Sequence, residues 1–163
     1  MILPLAEWTD VYVASAGAAA ALAGLVFVAV SINVEQILSF PGVPERGLVT
    51  VMVLLGVVVA SLFGLHPDQS VEALGAELLA VGVVLTAAAL VLPIRSRPRD
   101  GTESHLVSAL ALGLVGSVPY VVAGVLLLSG QAASGREWLF AAIVSAIVAG
   151  VLNAWVLLIE IRR

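Results

Sequence analysis

Long apolar runs separated by short polar clusters make up most of this chain. Five runs of roughly the length that crosses a bilayer occupy residues 11–34, 48–65, 74–92, 106–128 and 138–159. In hydrocarbon a lone strand would leave backbone groups unpaired, and a β-barrel would need alternating apolar and polar residues. The pattern therefore predicts an all-α, polytopic membrane protein, a bundle of about five transmembrane helices forming a single domain over residues 1–163.

Local turn signals set the expected ends of the first two helices. The first helix should run from about Thr9 to Ser39 and stop at the Phe40-Pro41-Gly42 turn. Tyr12 should lie at a membrane interface, where amphipathic rings are enriched. Pro44 suits the first turn of the second helix, because its missing N–H needs no partner there.

Similar signals mark the later helices. Asp68 or Ser70 can cap the third helix, which should end ahead of Pro93. Ser134 followed by Glu137 forms a capping-box pattern ahead of the fifth apolar run.

Composition supports the membrane assignment and excludes several kinds of chemistry. The chain has 163 residues, of which 61% are hydrophobic and 11% charged, too few polar groups to cover a water-soluble globule. All seven basic residues are Arg, and the sequence shows no basic patch, so nucleic-acid binding has no support. The absence of Cys excludes disulfides, thiolate metal sites and a Cys nucleophile.

The arginines predict how the chain is oriented. In a five-span arrangement six of the seven fall on one side of the membrane and Arg136 alone falls on the other; the six are Arg46, Arg95, Arg97, Arg99, Arg162 and Arg163. The positive-inside rule then places the N-terminus outside and the C-terminus in the cytoplasm. We expect a multi-pass protein of the cytoplasmic membrane, as in a bacterial inner membrane.

Three helices carry small residues at four-residue spacing, which lets helix backbones approach closely. This pattern predicts helix packing, either within one protomer or between this chain and a second copy or a larger partner. The positions are Ala16, Ala20 and Gly24; Ala109, Gly113 and Ser117; and Ala142, Ala146 and Gly150.

A few polar residues fall within the apolar runs, where they are costly unless paired or hydrated. Asn33 and Asn153 could hydrogen-bond between helices while Glu35 reaches the interface, or all three could line the hydrated mouth of a pore. The intramembrane polar or pore candidates are Asn33, Glu35, Thr50, Thr86, Tyr120 and Asn153.

Catalytic and metal-binding patterns are weak. The only two histidines, His66 and His105, fall on opposite sides of the predicted membrane, so they cannot share a catalytic set. Asp68, Glu72 and the other outer acids match no metal-ligand spacing, and helix capping and the helix dipole explain them. We therefore expect no enzymatic activity, no cofactor and no metal.

The segment AGAAAALAGLVFVAVSIN at 16–33, followed by the Pro-Gly-Val-Pro turn at 41–44, resembles small five-span bacterial membrane proteins of the actinobacterial type. Many of these are uncharacterised, and some are labelled modulator of the FtsH protease. The resemblance is strongest over residues 16–44 and implies no functional residue. Five spans are also typical of the tryptophan-rich sensory proteins, but three Trp and two Tyr are too few for the aromatic ligand pocket of that family.

Two functions remain open from the sequence. The first is a non-enzymatic regulatory or scaffold subunit that acts through helix packing, with the lipid bilayer and a homo-oligomer or larger membrane complex as its partners. The alternative is a homo-oligomeric ion channel or small transporter with a weakly polar pore.

Overall fold

The computed structural model describes residues 8–40, 42–96 and 103–161, and these residues form six helices. They are α1 (Thr9–Ile32), α2 (Val34–Ser39), α3 (Val43–Gly64), α4 (Val71–Arg95), α5 (Glu103–Leu128) and α6 (Ala132–Ile161). All except α2 are long and apolar enough to cross a membrane. The predicted all-α polytopic architecture with five spans is confirmed.

Helices α3 to α6 form an up-and-down bundle, and α1 lies outside it. Helix α4 packs on α5, α5 packs on α6, and α3 contacts both α4 and α6, whereas α1 packs mainly on α3. One end of the bundle holds the α2–α3 and α4–α5 connections and the last residues of α6, and we call it the arginine-rich end. The opposite end holds the α3–α4 and α5–α6 connections, and we call it the acidic end. The largest fully buried side chains of the bundle are Tyr120, Leu54, Leu74, Leu78, Leu127, Leu139 and Ile143.

A break at Asn33 corrects the prediction of one helix through Ser39. Helix α1 ends at Ile32, and α2 is a separate helix of 6 residues. The Asn33 side-chain amide donates to the carbonyl of Ala29 at 2.8 Å, the acceptor that the backbone N–H of residue 33 would use in a continuing helix. Such side-chain bonds to the backbone compete with the helix ladder.

Helices α3 and α4 are longer than their apolar runs. Gly42 has a φ of 87°, a left-handed conformation that allows the tight turn into α3, and the helix begins at Val43. Ser70, one of the two predicted caps of α4, accepts from the N–H of Ala73 at 3.1 Å. The predicted stop ahead of Pro93 is wrong, because α4 continues to Arg95.

The turn between α5 and α6 explains another correction. The N–H of Gly130 donates to Leu127 O and that of Gln131 donates to Leu126 O, the paired bonds of a Schellman motif, with Gly130 at a φ of 82°. Helix α6 then begins at Ala132. Ser134 is therefore already inside the helix, and the predicted capping box does not form its start.

Helix α1 is anchored near the acidic end by Tyr12, whose side chain is buried. A Cβ added to Gly64 of α3 would lie 2.6 Å from the Tyr12 ring, so the ring rests directly on the α3 backbone. The rings of Trp8 and Tyr12 are tilted to each other with centroids 6.3 Å apart, and Trp8 meets Phe140 of α6 edge-on at 6.0 Å. Aromatic pairs of this kind add to the apolar contact.

Candidate functional site

A hydrogen-bonded polar cluster is buried between α3, α5 and α6 near the arginine-rich end. The Nε–H of Arg46 donates to Oδ1 of Asn153 at 2.6 Å, and its Nη2 group donates to Oγ of Ser108 at 3.3 Å. The Nδ2 group of Asn153 donates to Oγ1 of Thr50 at 2.5 Å, and that hydroxyl donates to the Arg46 carbonyl at 2.8 Å. We call these four residues the Arg46 cluster.

Helix geometry explains why these side chains meet. Arg46 and Thr50 are four residues apart and therefore share a face of α3, which continues inward through Val53 and Val57. Asn153 follows Gly150 by less than one turn of α6, and Gly150 lies tightly against Leu54 of α3. The close approach of the two helices at that glycine brings the Asn153 amide within reach of Arg46.

The cluster places a permanently charged group inside the protein, near the start of a helix that is long enough to cross a membrane. Arg46 is 5% exposed, Thr50 1% and Asn153 3%. Arginine remains charged in proteins, and a charge in a bilayer is costly unless polar partners surround it. Asn153 supplies both an acceptor for the guanidinium and donors for the α3 backbone and hydroxyl. The chemistry that this arrangement supports is locking two helices together.

Sequence reasoning identified Thr50 and Asn153 as candidates but counted Arg46 only among the charges that orient the chain. Pro44 in the first turn of α3 already implied that Arg46 lies inside the helix, but no pattern showed that its side chain faces the interior. Ser108 was also missed, because a lone Ser in a transmembrane helix has no distinguishing pattern.

The other interior candidates lie apart from this cluster. Thr86 of α4 donates to Ser117 of α5 at 3.1 Å, which satisfies both side chains in a neutral pair. Tyr120 is wholly buried, and its hydroxyl has no hydrogen-bond partner among the described residues. No hydrogen bond among the described residues joins Thr86 or Tyr120 to the Arg46 cluster.

Asn33 and Glu35 do not join Asn153. The Asn33 amide bonds within its own helix segment, to Ala29, rather than to another helix. Glu35 lies on α2 and is exposed. No hydrogen bond among the described residues joins Asn33 or Glu35 to Asn153, while the interhelical role expected for Asn153 is present in its bonds to α3.

Two of the three small-residue stripes face the interior. Every member of the α5 and α6 stripes is buried; these residues are Ala109, Gly113, Ser117, Ala142, Ala146 and Gly150. A Cβ on Gly113 would lie 2.7 Å from the Ala89 side chain, and one on Gly150 would lie 2.7 Å from Leu54. These stripes pack within the protomer.

The stripe on α1 behaves differently. Ala16 is half-buried, and Ala20 and Gly24 are exposed. The face that α1 buries is instead rotated around the helix and consists of Tyr12, Ala19, Ala23 and Val26. Packing within one protomer therefore does not explain the α1 stripe.

Several glycines that the four-residue spacing did not select form closer contacts. A Cβ on Gly82 of α4 would lie 2.6 Å from the backbone nitrogen of Val121, and one on Gly124 of α5 would lie 2.6 Å from that of Leu79. Both approaches are to backbone atoms, so α4 and α5 meet almost without side chains between them.

A groove opens beside α1 near the arginine-rich end, on the flank of the helix that carries Leu22, Leu25 and Ala29. It has a volume of about 290 Å³ and lies between α1 and α2, the start of α3 and the second half of α6. Asn33 and the indole of Trp155 carry its polar atoms; the other described residues that line it are aliphatic, Gly or Pro.

The acidic end shows little organised chemistry in its described part. Gln69 donates to Oε2 of Glu77 at 2.5 Å, while His66, Asp68 and Glu72 are exposed. No three His, Asp or Glu side chains within residues 8–40, 42–96 and 103–161 are placed to hold a metal ion. Glu7 and the side chain of His105 lie outside the described residues, as do Arg97, Arg99, Arg162 and Arg163.

Comparison with protein-family descriptions, with curated proteins and with solved structures gives no match to this chain. The identification therefore rests on the architecture. Five apolar helices, long enough to cross a bilayer, make this chain a multi-pass integral membrane protein.

Proposed function

We propose that this protein is a non-enzymatic regulatory or scaffold subunit of the cytoplasmic membrane, which docks on another transmembrane helix through one face of α1. We call this face the outward face and define it by Gly17, Ala20 and Gly24. The proposal agrees with the resemblance of residues 16–44 to small bacterial membrane proteins, some of them labelled modulators of a membrane protease.

The contrast among the glycines carries this proposal. In α3 to α6, nine of the ten helical glycines would bring an added Cβ to 3.0 Å or less from a neighbouring atom, and the tenth, Gly47, to 3.7 Å. Gly17 and Gly24 of α1 would meet nothing within 4 Å. Glycine costs a helix about 1 kcal/mol relative to alanine, so two glycines without a contact favour a packing face that another helix completes.

The loose attachment of α1 supports the same role. Only 11% of the residues in the most apolar stretch of α1 are buried inside the protein, against 56% for the corresponding stretch of α3. Since lipid is as apolar as a helix surface, association in a membrane depends on close backbone approach, which the outward face permits. A pore receives less support, because Thr50, Thr86 and Asn153 are already engaged in hydrogen bonds with neighbouring protein groups.

Photo-crosslinking in native membranes tests the proposal. A photoreactive amino acid at Ala20 should give a discrete adduct with a second copy or a partner. Ala18 is also small and exposed, but it lies on the opposite flank of α1. The same photoreactive amino acid at that position should give only diffuse lipid adducts. Gly24→Leu should abolish the complex on native gels, and Ala18→Leu should preserve it. Equal labelling at both positions, or a monomer under conditions that preserve other membrane complexes, would contradict the docking role.

A further inference from the structure

We propose that the groove between α1, α3 and α6 binds an acyl chain of an anionic phospholipid, with the headgroup at the arginine-rich end. The groove lies on the flank of α1 that carries Leu22, Leu25 and Ala29, away from the outward face. It is therefore independent of the docking function proposed above.

The shape and lining of the groove fit a hydrocarbon chain. A dry cavity of about 150 Å³ lined by aliphatic and aromatic residues holds a benzene ring. The groove has nearly twice that volume, about 290 Å³, and is open along one side. Leu54 and Gly150 line its inner wall, and Ile37 of the short helix α2 lines the part near the membrane surface. An extended chain segment of a bilayer lipid can enter from the side without leaving hydrocarbon.

The position of the basic residues selects the headgroup. Val43 and Pro44 line the groove, and Gly42, just before them, lies beside Ser96, whose carbonyl oxygen would be 3.8 Å from a Cβ at that glycine. The exposed side chain next to Ser96 is Arg95. A lipid in the groove thus has its headgroup at the level of the segment that carries Arg95. Basic side chains close to the membrane end of a transmembrane helix attract anionic headgroups.

The overall charge distribution points in the same direction. Among the described side chains, the arginine-rich end carries Arg46 and Arg95 against Glu35 and Glu45. In its described part the acidic end carries Arg136 against five carboxylates, Asp10, Asp68, Glu72, Glu77 and Glu137. The groove therefore lies at the less negative end, where an anionic headgroup meets less repulsion. Glu35 and Glu45 limit the expected preference to several-fold.

Trp155 provides a native reporter for this site. Its side chain lines the groove and is 62% exposed, whereas Trp8 and Trp138 lie toward the acidic end. The variant Trp8→Phe with Trp138→Phe leaves Trp155 as the only indole. Two vesicle preparations contain phosphatidylcholine mixed with the same fraction of either brominated phosphatidylglycerol or brominated phosphatidylcholine. The brominated phosphatidylglycerol should quench Trp155 more strongly, which corresponds to a binding constant roughly five times that of phosphatidylcholine.

Matched variants separate the groove from general lipid contact. Arg95→Gln should bring the relative constant close to one, whereas Arg136→Gln, which removes the Arg at the acidic end, should leave it unchanged. Ala29→Phe fills the groove from an exposed position of α1 and should abolish the preference while the protein remains folded. High salt should weaken the preference, because it shortens the range of the electrostatic attraction.

Three results would overturn the proposal. One is equal quenching by the two brominated lipids in the unmodified groove. Another is an unchanged preference in Ala29→Phe, which would place the anionic lipid elsewhere on the surface. The third is protection of Trp155 from both lipids, which would mean that a protein helix rather than a lipid occupies the groove.

Discussion

Arg46 and Asn153 form the polar contact that joins α3 to α6, with the guanidinium Nε 2.6 Å from the amide oxygen. The two residues are 107 positions apart in the chain. Their contact closes the bundle between its first and last helices, at the end where the arginines concentrate. A buried charge with a hydrogen-bonding partner on a distant helix favours this pairing of the two helices, because a charge inside a membrane protein needs polar partners.

Removing Arg46 and Asn153 together should destabilise the protein less than the two single changes add up to. Asn153→Leu should lower the free energy of unfolding by about 3 kcal/mol, because it takes an acceptor from a buried charge. The double variant Arg46→Met with Asn153→Leu should lose less than the sum of the two single changes, since the second change removes that charge. Denaturation in detergent micelles measures all three. Additive effects would show that the two side chains do not act as a pair.

The tight contact between α4 and α5 predicts opposite effects for two Gly→Ala changes. In Gly82→Ala the new methyl group would lie 2.6 Å from the Val121 nitrogen, and we expect a loss of about 1–3 kcal/mol as the backbones separate. In Gly24→Ala the methyl group meets nothing within 4 Å, and the better helix propensity should leave monomer stability unchanged or raise it by up to about 1 kcal/mol. Similar losses in both variants, measured by thermal unfolding of the purified monomer, would contradict the packing described here.

Two buried hydroxyls should respond differently to removal. Ser117→Ala breaks the bond to Thr86, and we expect a loss of about 0.6 kcal/mol, the average for such bonds between membrane helices. Tyr120→Phe removes a hydroxyl that has no partner in the described residues, so stability should stay constant or increase by up to about 1 kcal/mol. A clear loss in Tyr120→Phe would indicate that the hydroxyl binds a water molecule or a small ligand.

Single cysteines can test the predicted orientation, because the chain has no Cys of its own. Gln131→Cys, in the turn between α5 and α6, should react with a membrane-impermeant maleimide added to intact cells. Arg95→Cys, at the opposite end, should react only after the membrane is opened. The reverse pattern would place the C-terminus outside and contradict the positive-inside rule for this chain.

The helix ends show where local sequence signals succeed and where they are overruled. Ser70 caps α4 as its residue type predicts, because a cap depends only on nearby backbone. Asn33 interrupts α1 although it lies within a helical pattern, since its amide takes the carbonyl of Ala29. Pro93 lies inside α4, and the helix still closes through bonds from the backbone and hydroxyl of Ser96 to the Leu92 carbonyl.

The number of spans and the all-helical class follow from the sequence alone, because the thickness of the bilayer and the need to pair backbone groups act on each segment separately. The rotation of each helix was decided only by the tertiary structure. In water a polar stripe marks the face of a helix that stays outside, but lipid is as apolar as the protein core and marks no face. That is why Ala142 and Gly24 belong to the same kind of sequence pattern yet one is buried and the other exposed. For the same reason, only the packed bundle shows that Arg46, close to a turn in the sequence, lies inside the protein with Asn153.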